Sequence, residues 1–313
     1  MVALIPVSAG GRVDEAGAYA MSMGTYHSQC CAGPSISSSG LRTIYNESPA
    51  RFWAFSDLNP DRFPKEDKKT FDFGRAAHAL LLGDEVFEDG FMVAPKDAPQ
   101  RPTAAMLNAA KPSANSVERI AVWTAIDHEA AGRTIISGEE HQTIAHMAES
   151  LHKHPAISHY RLFDGTPEAS LVWPYEKVFI KSRPDMLPAS GQEIADLKTT
   201  ASADRRFCDR AITNHGYDMQ MALAIDGAKI VLGLEILEAV LVFVEKEPPF
   251  MVRVVPLGLD ALEYARRKNR IAMKAFAKAI ASGEWPLPAD DMHPWHTPQW
   301  MVDDLNLRAS EDD

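Results

Sequence analysis

The chemistry this chain could carry is concentrated in two short words, Arg183-Pro184-Asp185 and, after ten intervening residues, Asp196-Leu197-Lys198. Ser190-Gly191-Gln192 between them reads as a hairpin turn, so adjacent strands bring Asp185 close to Asp196. Asp196 and Lys198 are two apart on a strand and therefore share a face. Two carboxylates and an ammonium on one sheet face suit a hard divalent cation with a lysine beside it. Such a site hydrolyses phosphodiesters, because the cation lowers the pKa of bound water and neutralises charge in the transition state, with Lys198 orienting the water or stabilising that charge. Taken alone, an Asp-x-Lys tripeptide is ordinarily a solvated strand face with a weak ion pair. The Pro-Asp partner at hairpin distance is what favours a site.

Several elements must position these residues. Ala169–Tyr175, Val178–Arg183 and Glu193–Lys198 are β-branched or alternating runs and read as strands, as do Ala239–Glu245 and Phe250–Pro256 around the Glu247-Pro248-Pro249 turn. Helices are expected over about 203–213 and 217–231 and over Asp260–Ser282. Upstream, Ser39 can cap a short helix, Ser48-Pro49 opens another, and Phe71, Gly74, Ala77, His78 and Leu81 share one helical face. Ser137-Gly138-Glu139-Glu140 is a capping box that opens a helix reaching about His152. Residues 95–117, rich in Pro, Ala and Asn, read as a mobile excursion. The order of elements is that of a mixed α/β domain with a helical N-terminal elaboration. The expected division is a flexible arm over 1–34, one domain over 35–285, and an acidic tail over 286–313 with Pro286, Pro288, Pro294, Pro298, Trp295 and Trp300.

With these words in hand, the chain resembles the PD-(D/E)xK nuclease superfamily, and within it the phage-type exonuclease VIII (RecE-like) nuclease domain. The matching pieces run in family order over roughly residues 22–285. They are Ser37-Ser38-Ser39-Gly40-Leu41 with Ser48-Pro49-Ala50, then Phe73-Gly74-Arg75-Ala76-Ala77-His78-Ala79-Leu80-Leu81, and Glu168 ahead of Val172-Trp173. Arg183-Pro184-Asp185, Asp196-Leu197-Lys198-Thr199-Thr200 and Tyr217-Asp218-Met219-Gln220 complete them. The resemblance implies a restriction-endonuclease-like core, a mixed central sheet flanked by helices. It implies Asp185 and Asp196 as metal ligands, Lys198 as the catalytic lysine and His78 as a further ligand, with Glu168 either an outer ligand or a strand-start acid. Gln220 and Tyr217 would contact DNA or hold Lys198, Arg183 and Thr199 would bind DNA or support the site, and Ala224 stands where related nucleases often have a tyrosine. Its further implications are a 5′→3′ exonuclease on linear double-stranded DNA, a 3′ single strand left for an annealing protein in phage-type recombination, a ring-shaped homo-oligomer, and magnesium, with manganese as an alternative that His78 would accept.

Composition bounds the reading. The 313 residues carry 46% apolar and 24% charged side chains, enough for a core and incompatible with wholesale disorder. Cys30, Cys31 and Cys208 make no disulfide framework and cannot supply a four-cysteine cluster. No apolar run approaches the ~18 residues of a membrane span and no signal peptide is legible, so the expected compartment is the cytoplasm. Net charge is −11, of which residues 290–313 hold −6. That acidity argues against a protein that coats DNA by counterion release, but not against an enzyme with basic residues lining one channel. Arg205, Arg206 and Arg210, and the stripe Arg267, Arg270, Lys274 and Lys278, are the cations that could grip phosphates, although such a stripe is usually a solvated face. No Gly-x-x-x-x-Gly-Lys-[Ser/Thr] loop is present, hence no fused motor within these residues. Two other readings stay open: a DNA-binding or assembly protein of the same fold without activity, and a RecB-like nuclease working on single strands or flaps.

Overall fold

The computed structural model describes residues 2–8, 10–64, 70–83, 87, 88, 90–189, 192–288, 297, 299 and 301–303. The first part of the chain forms β1 (Ile5–Pro6), β2 (Gly17–Ala20), α1 (Met23–His27), β3 (Ser35–Ser37), α2 (Ser38–Asn46), α3 (Pro49–Ala54) and α4 (Thr70–Leu82). A middle stretch follows with β4 (Phe91–Val93), α5 (Ala104–Leu107), α6 (Ala114–Ala130), β5 (Thr134–Ile136), α7 (Gly138–Lys153) and α8 (Pro155–Tyr160). The remainder runs β6 (Gly165–Pro167), β7 (Ser170–Tyr175), β8 (Val178–Ser182), β9 (Met186–Pro188), β10 (Glu193–Thr200), α9 (Arg205–His215), α10 (Tyr217–Leu232), β11 (Glu238–Glu245), β12 (Val252–Pro256) and α11 (Leu259–Ser282).

Two mixed sheets carry the body, ordered β1-β2-β7-β8-β3 and β12-β11-β10-β9-β6. In the second, β10 and β11 run parallel, joined by a crossover through α9 and α10. The Ala239–Val244 run of β11 is buried at every residue, as a strand covered on both faces requires. Its alternation sorts the two cores. Ile194, Leu241 and Phe243 pack toward α2, α10 and α11, whereas Ala195, Leu197, Val240, Val242 and Val244 pack toward α4 and α7. Asp196 and Lys198 therefore fall on the α10 side, where the pattern would otherwise continue apolar. Helix α10 is buried around most of its circumference, from Met219 to Ala228, because it lies between the sheets and α11. Gly227 permits that approach, since a Cβ there would stand 2.7 Å from the Trp173 ring.

Most expected elements form within a residue or two of their predicted bounds, and the Ser137 capping box is complete on both sides. The N-terminal 34 residues differ. Instead of a loose arm, β2 pairs with β7, and Val13, Tyr19, Met21, Tyr26, Cys30 and Cys31 form a small core with Val172. Gly and Ser richness there reflects tight turns rather than freedom. Helix α2 begins at Ser38 with Ser37 as N-cap, not at Ser39, and Ser37 Oγ bonds Ser39 Oγ at 2.9 Å instead of a backbone amide. The expected excursion over 95–117 includes α5 and the start of α6, and is fastened by Trp123 Nε1 donating to Pro99 O at 2.8 Å. Helix α6 buries only the narrow stripe Ser116, Trp123, Ile126 and Ala130, so it has little apolar periodicity to read. At the other end, Trp285 stacks on Trp53 at 4.5 Å. Ser190 and Gly191 of the expected turn, Pro294, Pro298, Trp295, Trp300 and most tail acids lie outside the described residues.

Candidate active site

The β9–β10 pairing decides the geometry. Met186 faces Ala195 across an antiparallel ladder, which makes Asp185 and Asp196 cross-strand neighbours. Asp185 Oδ2 accepts a hydrogen bond from Leu197 N at 2.6 Å and lies 2.6 Å from His78 Nε2, brought in by α4. Asp196 is fully buried; its Oδ2 touches Lys198 Nζ, and its Oδ1 accepts from Gln220 Nε2 at 2.8 Å. Gln220 Oε1 in turn accepts from Lys198 Nζ at 3.3 Å, and the same ammonium stands 4.7 Å from the Tyr217 ring centre. Helix α10 thus supplies from its first turn both flanks of the lysine.

Burial and charge compete at each group. Burial, then the Asp185 charge, pushes the Asp196 carboxyl up to about 6, outweighing the pull of Lys198. Burial also acts to raise Asp185, but His78, Lys198 and the Leu197 amide hold it below the ordinary carboxylate range. For His78, burial works against the proton, and Asp185 more than restores it, so the imidazole titrates above its usual value. Lys198 likewise keeps its proton despite burial, because Asp196 and Asp185 face it. Of the two carboxylates it is Asp196 that ionises at a cost, because burial and the Asp185 charge together outweigh its cationic neighbours.

The cost of ionising Asp196 bears on whether a cation fits. Asp196 Oδ2 is buried and faces the Lys198 ammonium. Hard carboxylate oxygens and one imidazole match a magnesium- or manganese-type ion. Among the described residues no three His, Cys, Asp or Glu side chains already stand as a metal-holding group. The donor set fits, with Asp185, Asp196 and His78 as the groups that would hold the ion.

These residues open on a cleft of about 190 Å³ lined by Tyr26, Ser38, Arg42, Glu168, Asp185 and Gln220, among others. A larger cavity of about 410 Å³, between Tyr160 and Met251, belongs to the other face of the sheet, at Val240 and Val254, and includes none of the converging groups. Glu168 reaches the cleft but is bound to Arg183 Nη2 at 2.6 Å, and its backbone amide donates to Asp185 O at 3.0 Å. Arg183 also donates to Met21 O and Ser170 Oγ, so it props the cleft wall rather than offering its charge outward. Thr199 points to the other face of β10, where a Cβ on Gly74 of α4 would meet its Oγ1 at 3.8 Å. Arg205 and Arg206 are exposed on the first turn of α9, and neither lines the cleft. Sequence reasoning missed Arg42, whose Nη1 donates to His215 O at 2.6 Å while its Nε is buried without a partner. The signal was available one residue beyond the Ser-Ser-Ser-Gly-Leu word. Tyr26 and His27 fall in the stretch that reads as a flexible arm, so sequence reasoning passes over them.

A family model and one solved structure agree on the fold. A family model described as a PDDEXK-like domain of unknown function (DUF3799) matches residues 37–293. The crystal structure described as a "Putative exonuclease" from Eubacterium rectale superposes with TM-score 0.58 at 13% identity, covering 89% of this chain and 96% of that one. A phage related exonuclease from Haemophilus somnus 129PT is similar over 60% of this chain and 93% of its own, at 14% identity and TM-score 0.29. No curated protein matches.

Proposed function

We propose, from the premise that the chain belongs to the PDDEXK-like domain family and has its restriction-endonuclease-like fold, that it is a divalent-cation-dependent nuclease. The observation that carries this reading is one buried carboxylate, Asp196, held between Lys198 and Gln220 beside Asp185 and His78 at an open cleft. Asp185, Asp196 and His78 would hold the cation, which when bound supplies a low-pKa water and neutralises charge on the phosphoryl group. Lys198 retains its proton and presents a fixed positive charge to that same group. Gln220 bonds both members of the Asp196–Lys198 pair and so fixes their orientation toward the cleft. Ser38 Oγ, on the first residue of α2, and Arg42 Nε, one turn further on, are buried donors without protein partners at the cleft, which suits phosphate oxygens.

The substrate in this proposal is linear double-stranded DNA, degraded 5′→3′ to leave a 3′ single strand for an annealing protein. The family resemblance supports it, and the "Putative exonuclease" description of the Eubacterium rectale neighbour supports its exonuclease part alone. Magnesium, a cytoplasmic setting and a ring-shaped oligomer belong to the same proposal. Duplexes labelled at the 5′ or the 3′ end, with closed circles and single strands alongside, test it. Early release of the 5′ label from linear duplex, with circles intact, is expected. Cleavage of closed circles, or release of the 3′ label first, overturns the exonuclease assignment.

A further inference from the structure

Lys198 is held in place from α10, and α10 begins without a cap. Its N-cap is Gly216, in the left-handed conformation at φ 62°, with no side-chain hydrogen bond to the first turn. Tyr217 and Gln220, the two residues that flank Lys198, lie in that turn. An uncapped first turn is where a helix ordinarily frays, yet here it must hold two side chains against a buried ammonium.

Two consecutive residues of α11 close on this turn from behind. Asn269 Nδ2 donates to Met219 O at 2.9 Å, and Lys268 Nζ contacts Asp218 Oδ2. All three polar side chains are buried, with Asn269 1%, Asp218 8% and Lys268 9% exposed. The Lys268 ammonium also stands 5.1 Å from the Tyr264 ring centre and 5.8 Å from that of Tyr45. Apolar contacts of Leu223, Leu262, Ala265, Ala272 and Phe276 already join these helices and their neighbours. Apolar packing is non-directional and tolerates small axial slips, whereas a buried ion pair and an amide–carbonyl bond fix one register. The grip falls on 218 and 219, between the two side chains that touch Lys198.

We infer that Asn269 and Lys268 are positioning residues: acting through Asp218 and Met219, they set Gln220 and Tyr217, and through these Lys198. For the reaction itself the inference rests on the nuclease reading, because Lys198 is the group whose placement would limit the rate. A displacement of about 1 Å in a reacting group costs on the order of 100-fold in rate.

The test uses the full chain with Asn269→Leu, which keeps the size and removes the donor, and with the paired Asp218→Asn/Lys268→Met, which removes the charges together. Hydrogen exchange is measured across residues 216–221, and cleavage of linear duplex in magnesium is measured in parallel. Faster exchange in that segment is expected relative to the rest of α10, with kcat lowered at least 10-fold and KM for DNA within twofold. In a Gln220→Ala background the further loss from Asn269→Leu should shrink to under threefold, since the effect runs through Gln220. A purely structural role would lower both helices' protection together and give additive losses. Unchanged exchange at 216–221 in both variants overturns the inference, as does kcat within twofold of the parent. If the parent itself cleaves nothing in magnesium or manganese, the nuclease reading fails, and the exchange measurement still decides the clamp. Should Asn269→Leu not fold, the paired variant carries the same readouts.

Discussion

Replacing Asp196 by Asn should stabilise the cation-free protein while abolishing cleavage. Asparagine mimics the protonated carboxyl in shape, so the variant reports what ionisation of Asp196 costs the fold. The ordinary value for this carboxyl is 3.8, and burial with the Asp185 charge raises it to about 6. A gap of about 2 units corresponds to about 3 kcal/mol. Because the folded-state value is the raised one, this stability is fully present below pH ~4 and is lost as pH rises through about 6. At pH 8 in chelator, Asp196→Asn should therefore exceed the parent by about 3 kcal/mol, shrinking to under ~1 kcal/mol at pH 4. Unfolding entropy of roughly 2.1 cal/mol/K per residue turns the larger figure into a Tm gain of about 4–5 °C for this chain. Calorimetry of both proteins at the two pH values, in chelator and then in magnesium, reads it directly. In magnesium the advantage should narrow, because a cation held by Asp196 offsets the cost of its ionisation in the parent alone. A lower Tm for Asp196→Asn at pH 8 in chelator would refute the claim that this carboxylate is held against its own burial.

His78→Ala should shrink the magnesium-induced rise in Tm and cut cleavage at least 10-fold, with Tm in chelator down by no more than about 2 °C; a loss of several degrees with full activity per folded molecule would make it a core histidine. Glu245→Ala removes the carboxylate that accepts from Ala203 N at 2.8 Å and Met251 N at 3.2 Å. Two amides lose a charged acceptor, one of them buried, so about 3 kcal/mol and about 4–5 °C of Tm should go, with Glu245→Gln restoring only part. Trp285→Ala removes a ring stacked on Trp53 and packed near Phe52 and Phe276. It should cost about 2–3 kcal/mol in denaturant titration and leave cleavage per folded molecule unchanged.

What was legible in the sequence follows the reach of each physical rule. Strand alternation and a turn between two strands are local, so the meeting of Asp185, Asp196 and Lys198 could be read from spacing alone. Alternation would also have turned Thr199 away from Lys198, had odd and even positions been separated strictly. His78 needed the resemblance, because nothing local says that α4 approaches β9. For Arg183 the sequence leaves open DNA binding or support of the site, and three acceptors within the fold use its donors. Such capture is invisible until β7, the Glu168 turn and Met21 are placed together. Residues 1–34 were misjudged for a related reason: their order comes from pairing with β7, some 150 residues away, and short Gly- and Ser-rich strands have no periodicity of their own. Lys268 and Asn269 sat in a helix read by its charged stripe, while their contacts are on the opposite, buried face.

The central claim is that Asp196, Asp185 and Lys198 make a cation-dependent phosphodiester hydrolase. Its most direct test is release of acid-soluble nucleotide from linear duplex by the purified parent and by Lys198→Ala, each titrated with magnesium from a chelated start. Release by the parent should rise with magnesium and be abolished by chelator, and release by Lys198→Ala should be lower by at least 100-fold at equal folded concentration. Equal release by the two proteins, or release by the parent that survives chelation, would contradict it.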